Sequence, residues 1–371
     1  MANEETSLYV HIPFCKSKCS FCSFVVCVAR EHRIDDYLTS LAVEAEQYKG
    51  TTVKTVYIGG GTPTLLGTNQ LRKLLKVIDE NFKFDSTAEF TIEANPETID
   101  CLKLELLKDS KVNRISLGIQ SLNDKYLNFL GRNHDADCAL RALANLRKSG
   151  FLNINLDLMF SFPGQTLPEL IQDVRAIAAL GSEHLSLYTL MPEEGSRFYR
   201  QDIKVKDDLL QAEYYVRMVE LLGKSGFAQY EISNFAKSGQ ESRHNCVYWQ
   251  GGNYIGLGIG AHSHRDGIRS WNTSDFQEYV SGTKENLKII AGKEQLDPSQ
   301  RLVETLLFGL RMTQGVNVSN LEERFGCLLP DDKADALNDF IENGFLVKED
   351  GKIKTTFKGR LVLDELCARM I

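Results

Sequence analysis

The sequence predicts an α/β fold: a partial (β/α)6 TIM-like barrel, followed by a helical, winged-helix-like C-terminal domain. Six short apolar runs recur, at 7–12, 53–58, 88–93, 113–119, 152–158 and 184–190. Helical patterns lie between them, near 34–48, 68–81, 98–109, 136–149 and 167–180. Strand–helix alternation implies a parallel sheet with right-handed crossovers, and six units are too few to close an eight-fold barrel. The polar residues that stand out fall at the C-terminal ends of the expected strands, the rim where parallel barrels carry their chemistry.

The first strand, Ser7–Ile12, stops at Pro13 and leads into a loop spaced C-x3-C-x2-C, with Cys15, Cys19 and Cys22. Three thiolates can hold three irons of a [4Fe–4S] cluster and leave the fourth iron open to a substrate. Zinc is the competing reading, with Cys27 as a fourth ligand, although structural zinc usually takes two separated pairs. Phe14, Phe21 and Phe24 flank the loop and would shield a cluster from water. The helix near 34–48 places Tyr37, Leu38, Leu41, Ala45 and Tyr48 on one face.

Strand two, Val53–Ile58, alternates in the β manner and runs into Gly59-Gly60-Gly61-Thr62-Pro63. That turn lets backbone approach a ligand closely, or is simply a tight strand-to-helix connection. Glu93 ends strand three, as a site carboxylate, a helix cap or one half of a rim ion pair. Gln120 follows strand four. Asp157 sits among apolar residues of strand five, where a charge is costly unless paired, and Arg132 is a candidate partner.

The pattern changes after about residue 200, which divides the chain into 1–200, 201–296 and 297–371. A helix near 207–225 leads to a segment, 227–273, rich in Gly, Asn, His and aromatics. The uncharged stretch 248–264 carries five glycines and reads as loop and turn, not as a membrane span. His244-Asn245-Cys246-Val247-Tyr248-Trp249 joins an imidazole to a thiol and two aromatics. Those groups suit a porphyrin, or the histidine is merely packed near a tryptophan. His262 and His264 follow, at a spacing that matches no zinc signature. From 297 the pattern gives helices near 299–312, 319–325 and 331–343, a hairpin over 345–355 turning at Asp350-Gly351, and a last helix near 359–370.

The chain has 371 residues and a net charge of −7 with no basic block, which argues against a nucleic-acid surface. The first residues are acidic and polar, unlike a secretion signal, and no stretch suits a transmembrane segment. Nine cysteines without an export signal point to free thiols in a reducing cytoplasm.

Together these segments resemble one family. Tyr9–Cys15, the C-x3-C-x2-C loop and the Gly59–Pro63 turn are similar to radical S-adenosylmethionine (SAM) enzymes. Ser116–Ser121 and Leu130-Gly131-Arg132-Asn133-His134 narrow the resemblance to the oxygen-independent coproporphyrinogen III oxidase superfamily. The H-N-x-x-Y-W segment resembles the haem-chaperone branch. The resemblance implies that Cys15, Cys19 and Cys22 ligate a [4Fe–4S] cluster whose open iron SAM chelates. It implies that Tyr9, Gly59, Gly60, Gly61, Thr62, Glu93, Gln120, Arg132 and Asp157 line the SAM site, and that His244 contacts haem. Chaperones of that branch bind haem and pass it to respiratory proteins at the membrane, so the implied partners are haem and recipient proteins. No catalytic residue is assigned. Two departures count against the oxidase branch: Phe24 stands where that branch has a further cysteine, and only seven residues precede Leu8. Ser23 stands where many chaperone relatives carry an acid. A different radical SAM catalyst is the remaining alternative.

Overall fold

In the computed structural model, residues 6–285 and 288–370 are described. The acidic start, residues 1–5, lies outside them.

All six expected strands form: β1 (Thr6–Ile12), β2 (Thr51–Gly60), β3 (Phe82–Ala94), β4 (Arg114–Gln120), β5 (Ile154–Phe160) and β6 (His184–Thr189). They pair in chain order, each parallel to the next. The connecting helices are α1 (Ile34–Glu46), α2 (Thr68–Asn81), α3 (Cys101–Lys108), α4 (Asp124–Leu130), α5 (Ala136–Lys148) and α6 (Leu167–Ala178). Helix α4 was not expected; its seven residues span two turns, too few for a periodic signal. Gly131 ends it in the left-handed conformation and turns Arg132 back toward the rim.

Helix α7 (Asp208–Lys224) packs against α6. Short strands β7 (Ala228–Gln229) and β8 (Asn234–Ala236) extend the sheet antiparallel beyond β6. The stretch expected to be loop is ordered instead. Helix α8 (Arg243–Trp249) is followed by β9 (Asn253–Leu257), which lies parallel to β1 on its free side, then by β10 (His262–Arg265), β11 (Ile268–Asn272) and β12 (Ile290–Gln295). The glycines that suggested turns serve contact: a Cβ on Gly256 would stand 2.0 Å from the His262 carbonyl oxygen.

The two faces of the sheet differ in kind. Leu8, Val10 and Ile12 of β1, with Val56, Ile58, Ile92, Ile115 and Leu156, pack against the helices in the main apolar core. Each such side chain stabilises the fold by about 1.5–3 kcal/mol. The alternate positions carry Ser7, Tyr9, His11, Thr55, Tyr57, Glu93, Arg114, Ser116, Asn155, Asp157, His184 and Ser186. An ordinary closed barrel fills this inner face with Val, Ile and Leu. Here it is polar throughout, which a stable core does not require.

A second apolar core, from Leu302 to Met370, joins α9 (Pro298–Gly309) to two further helices, Val318–Phe325 and Asp331–Glu342, and to a hairpin, Leu346–Glu349 with Lys352–Thr355. Asp350 and Gly351 both take positive φ at its turn. The expected last helix is two, Phe357–Arg360 and Leu363–Ala368, because Gly359 is pressed against the Phe345 carbonyl and the chain bends there.

Candidate functional site

The cysteine loop lies over the C-terminal rim of β1. Cys22 N donates to the Cys19 carbonyl at 3.2 Å, closing one turn of the loop. Ser20 is tied by backbone bonds to Leu130 and Phe198, which fixes the loop against α4 and the segment after β6. Ser23 Oγ donates to Glu193 at 2.6 Å, so an acid does reach this place, from another segment.

Two of the three thiols are held from the rim. Thr62 Oγ1 lies 3.6 Å from Cys15 Sγ, and Arg132 Nη1 donates to Cys19 Sγ at 3.4 Å. Asn95 joins them: its amide donates to Thr62 Oγ1 at 3.0 Å, and its oxygen accepts from Arg132 Nη2 at 2.6 Å. A chain of hydrogen bonds therefore runs Cys15–Thr62–Asn95–Arg132–Cys19. Arg132 also donates to the Gly118 carbonyl at 2.8 Å. Gly118 is a glycine because Asn95, Gln120 and Arg132 meet above it; a Cβ would lie 3.0–3.5 Å from all three. Gln120, at φ 64, leaves the strand there in the left-handed region.

This donor set fits a cluster. Hydrogen bonds to thiolate sulfurs stabilise them and tune the irons. Burial pushes the free Cys15 thiol up to about 11, so bound irons would have to drive its deprotonation. Among the described residues no three His, Cys, Asp or Glu side chains converge as ligands of a single ion. Cys27 is not a fourth ligand here: it is buried in the main core, on a two-residue strand paired with Phe14 and Cys15. Phe14 is buried and Phe21 packs against the small core that contains Phe198, while Phe24 is 65% exposed. The expectation that all three phenylalanines shield the loop therefore fails for Phe24.

The glycine turn is filled by the protein itself. A Cβ would stand 2.9 Å from the Glu93 carboxyl at Gly59, 2.4 Å from the His11 ring at Gly60 and 2.8 Å from the Phe14 carbonyl at Gly61. The glycines bring β2 against the cluster strand and against Glu93. Glu93 accepts from Tyr57 Oη at 2.8 Å and from Gly60 N at 3.1 Å. Burial pushes its carboxyl up to about 7; the two donors oppose this, and the nearby Asp157 charge adds to it. Tyr9 Oη donates to His11 Nδ1 at 2.9 Å, because His11 Nε2–H is committed to the Val25 carbonyl.

Asp157 is bonded differently from expectation. Asn155 Nδ2 and Ser116 Oγ donate to it at 2.7 and 3.0 Å, and Arg132 is bonded elsewhere. The cation whose charge steadies it is Arg114, 1% exposed, on the neighbouring strand. Burial still raises the Asp157 carboxyl. Tyr188 is 42% exposed, yet burial raises its phenol. Tyr188 lies on the inner face of the barrel, open to solvent there.

His244 does not fit the haem role. It is 1% exposed, at the opposite end of the barrel from the cysteine loop, where α8 plugs the floor. Its backbone N–H and that of Arg243 donate to the Glu89 carboxylate at 2.9 and 3.0 Å. Thr55 Oγ donates to Ser7, so His244 Nδ1–H donates to Thr55 at 2.8 Å, and Nε2 accepts from Tyr248 Oη at 2.9 Å. The ring stacks on Tyr57, and burial lowers it to about 3, so it is neutral with both nitrogens engaged. No lone pair is free for iron.

Sequence reasoning missed Asn95 and Arg114. Asn95 precedes Pro96 at a strand end, as a neutral amide with no charge to flag it. Arg114 opens an apolar strand, which was a usable signal.

A radical SAM superfamily model matches residues 9–177, and a HemN C-terminal domain model matches 296–362. The heme chaperone HemW of Bacillus subtilis is 35% identical over 369 residues, covering 97% of each chain. The heme chaperone HemW of Lactococcus lactis is 34% identical over 97% of this chain and 95% of its own. A mitochondrial radical S-adenosyl methionine domain-containing protein 1 of Danio rerio is 31% identical over 98% of this chain and 86% of its own. Among solved structures, the Escherichia coli coproporphyrinogen III oxidase HemN, a radical SAM enzyme, superposes with a TM-score of 0.87 at 25% identity, over 99% of this chain and 90% of that one.

Proposed function

This chain belongs to the heme chaperone HemW family of the radical SAM superfamily, and from that premise we propose that it binds haem and delivers it to recipient proteins. In this reading Cys15, Cys19 and Cys22 hold a [4Fe–4S] cluster, and SAM lies beside it over the barrel mouth. When bound, such a cluster supplies an electron and an open iron that can chelate SAM. The chain's own residues do the rest. Thr62 and Arg132 hold two of the thiolates, with Asn95 fixing both donors. Tyr9, Gly59, Gly60, Gly61, Gln120 and Asp157 shape the mouth, and Glu93 offers a carboxylate to a cationic ligand.

The observation that carries the reading is the Cys15–Thr62–Asn95–Arg132–Cys19 chain of bonds, which would stabilise thiolates at the barrel rim. Phe24, exposed two residues after Cys22, leaves the loop without the further thiol of the oxidase branch. The recipient proteins of this reading are respiratory proteins at the membrane, reached from the cytoplasm; among the described residues no helix is long and apolar enough to cross a membrane. The divisions at about 200 and 296 belong to the same reading, with the last part built on its own apolar core.

The likeness to HemN favours one alternative, radical oxidative decarboxylation of coproporphyrinogen III. Anaerobic reconstitution tests the cluster assignment. Cys19→Ala should remove the cluster's visible absorption while the far-ultraviolet circular dichroism is kept. Full retention of that absorption would refute the ligand set.

A further inference from the structure

Seven histidines occur in the chain. His11, His134, His184 and His244 have both ring nitrogens engaged. His264 Nδ1 lies 3.1 Å from the Gly252 carbonyl. His32 is exposed on a single 3-10 turn. His262 differs from all of these. Its side chain is exposed, its ring has no hydrogen-bond partner among the described residues, and it lies flat against Trp271, with centroids 5.8 Å apart and planes 22° from parallel.

The sheet register explains the stack and extends it. His262 pairs with Trp271, and Trp271 pairs with Gly292 on β12. The glycine makes room for the indole: a Cβ there would stand 2.0 Å from the ring. On the other side, the His262 backbone presses on Gly256, and Gly256 pairs with Tyr9 of β1. Tyr9 in turn stacks on Tyr57 at 6.4 Å. One level of the sheet thus reads Tyr57, Tyr9, Gly256, His262, Trp271, Gly292 across neighbouring strands. From Tyr9 to Trp271 this spans three strand spacings, about 14 Å.

Face and height are also fixed. Trp271 stands directly opposite His262 and stacks on it, so the two share the inner face on which Tyr9 lies. His264, two residues along β10 from His262, contacts Tyr254, which contacts Tyr248 on the barrel floor plug. The shelf is therefore continuous with the inner face. Its top borders the cluster loop, because a Cβ on Gly260, two residues before His262, would lie 3.1 Å from Val25, three residues after Cys22.

We propose that this shelf is the haem site, with the porphyrin lying across Gly256 between Tyr9 and Trp271 and with His262 as the axial ligand to its iron. The inference rests on the chaperone reading and replaces His244 with His262. A planar macrocycle needs an aromatic-edged floor, and Tyr9 and Trp271 supply its two edges. Iron needs an imidazole with a nitrogen free to coordinate, and His262, exposed and without a hydrogen-bond partner among the described residues, has one. Haem bound here would sit beside the cluster loop.

The test is anaerobic titration of hemin into the full-length protein, followed by its Soret and visible bands. Wild type should give an imidazole-ligated spectrum. His262→Ala should lose that spectrum and weaken binding by at least tenfold, and added imidazole should restore the bands. His264→Ala should behave as wild type. Trp271→Leu should weaken binding while keeping the imidazole signature. If wild type binds hemin and His262→Ala shows the same bands and affinity, the site is wrong and the chaperone reading stands. If wild type binds no hemin, the chaperone reading itself fails. Cluster content and circular dichroism of each variant separate loss of the ligand from loss of the fold.

Discussion

Glu93 gives the sharpest prediction from a single side chain. Burial has moved its carboxyl up to about 7, so the group is half ionised at neutral pH before any ligand arrives. SAM carries a permanent positive sulfonium, and Glu93 must be a carboxylate to attract it. The ionised fraction rises from about one tenth at pH 6 to about nine tenths at pH 8, so SAM affinity should rise by about tenfold across that range. Below pH 7 binding should release about one proton. The stability effect has the opposite sign. A carboxyl raised in the folded state favours folding below its unfolded pKa of 4.5, and that contribution is lost as pH rises through about 7. Ligand-free protein should therefore lose stability from pH 6 to 8 while its affinity for SAM increases. Glu44 is also pushed up to about 7 by burial and shares the stability trend, but it lies on the helix side, bonded to Tyr279, Asn272 and Gly258. Calorimetric titration in two buffers of different ionisation enthalpy, for wild type and Glu93→Gln, isolates Glu93. The SAM amino group titrates identically in both. Wild type and Glu93→Gln with the same pH dependence would refute the assignment of Glu93.

Three further outcomes are expected. Asn95→Leu removes one neutral and one charge-assisted bond, leaving the Thr62 side chain only Cys15 and the Arg132 side chain only Cys19 and Gly118, so stability should fall by about 2–4 kcal/mol. The reconstituted cluster should also be lost faster to a chelator, with an unchanged loss rate counting against the bonded rim. His244→Ala opens a cavity at the barrel floor and orphans the Tyr248 hydroxyl, at a cost of about 2–4 kcal/mol in a urea or thermal melt. Its hemin spectrum should match wild type; an altered axial signature would return His244 to the haem site. Gly256→Val should prevent β9 and β10 from pairing and expose the apolar face of β9 to a hydrophobic dye, whereas a wild-type melting profile would mean the strand contact is looser than described.

The alternation of apolar runs and helical patterns was legible because each βα unit repeats the same burial requirement, and all six strands and their principal helices fall where the pattern puts them. Strand β9 was not legible, since Gly256 and Gly258 look like turn residues until the neighbouring backbone that presses on them is known. The cysteine loop announced itself by spacing alone. The charge that acts on Asp157 did not, because Arg114, four residues before the Gly118 that pairs with Asp157, reaches it only once β4 lies against β5. His244 misled for a related reason: residue types specify a chemistry, but only the fold decides which end of the barrel they occupy and whether a nitrogen is left free. His262, with no conspicuous neighbour in sequence, becomes visible only through three strands that bring Trp271, Gly256 and Tyr9 to one level.

The central claim is that the scaffold carries haem rather than making its precursor. The most direct measurement incubates fully reconstituted protein anaerobically with SAM, reductant and coproporphyrinogen III, then presents the same preparation with hemin and an apo-haemoprotein acceptor. Haem transfer without protoporphyrinogen IX, beside an oxidase control that turns over, is expected. Protoporphyrinogen IX formed over many turnovers would contradict the claim.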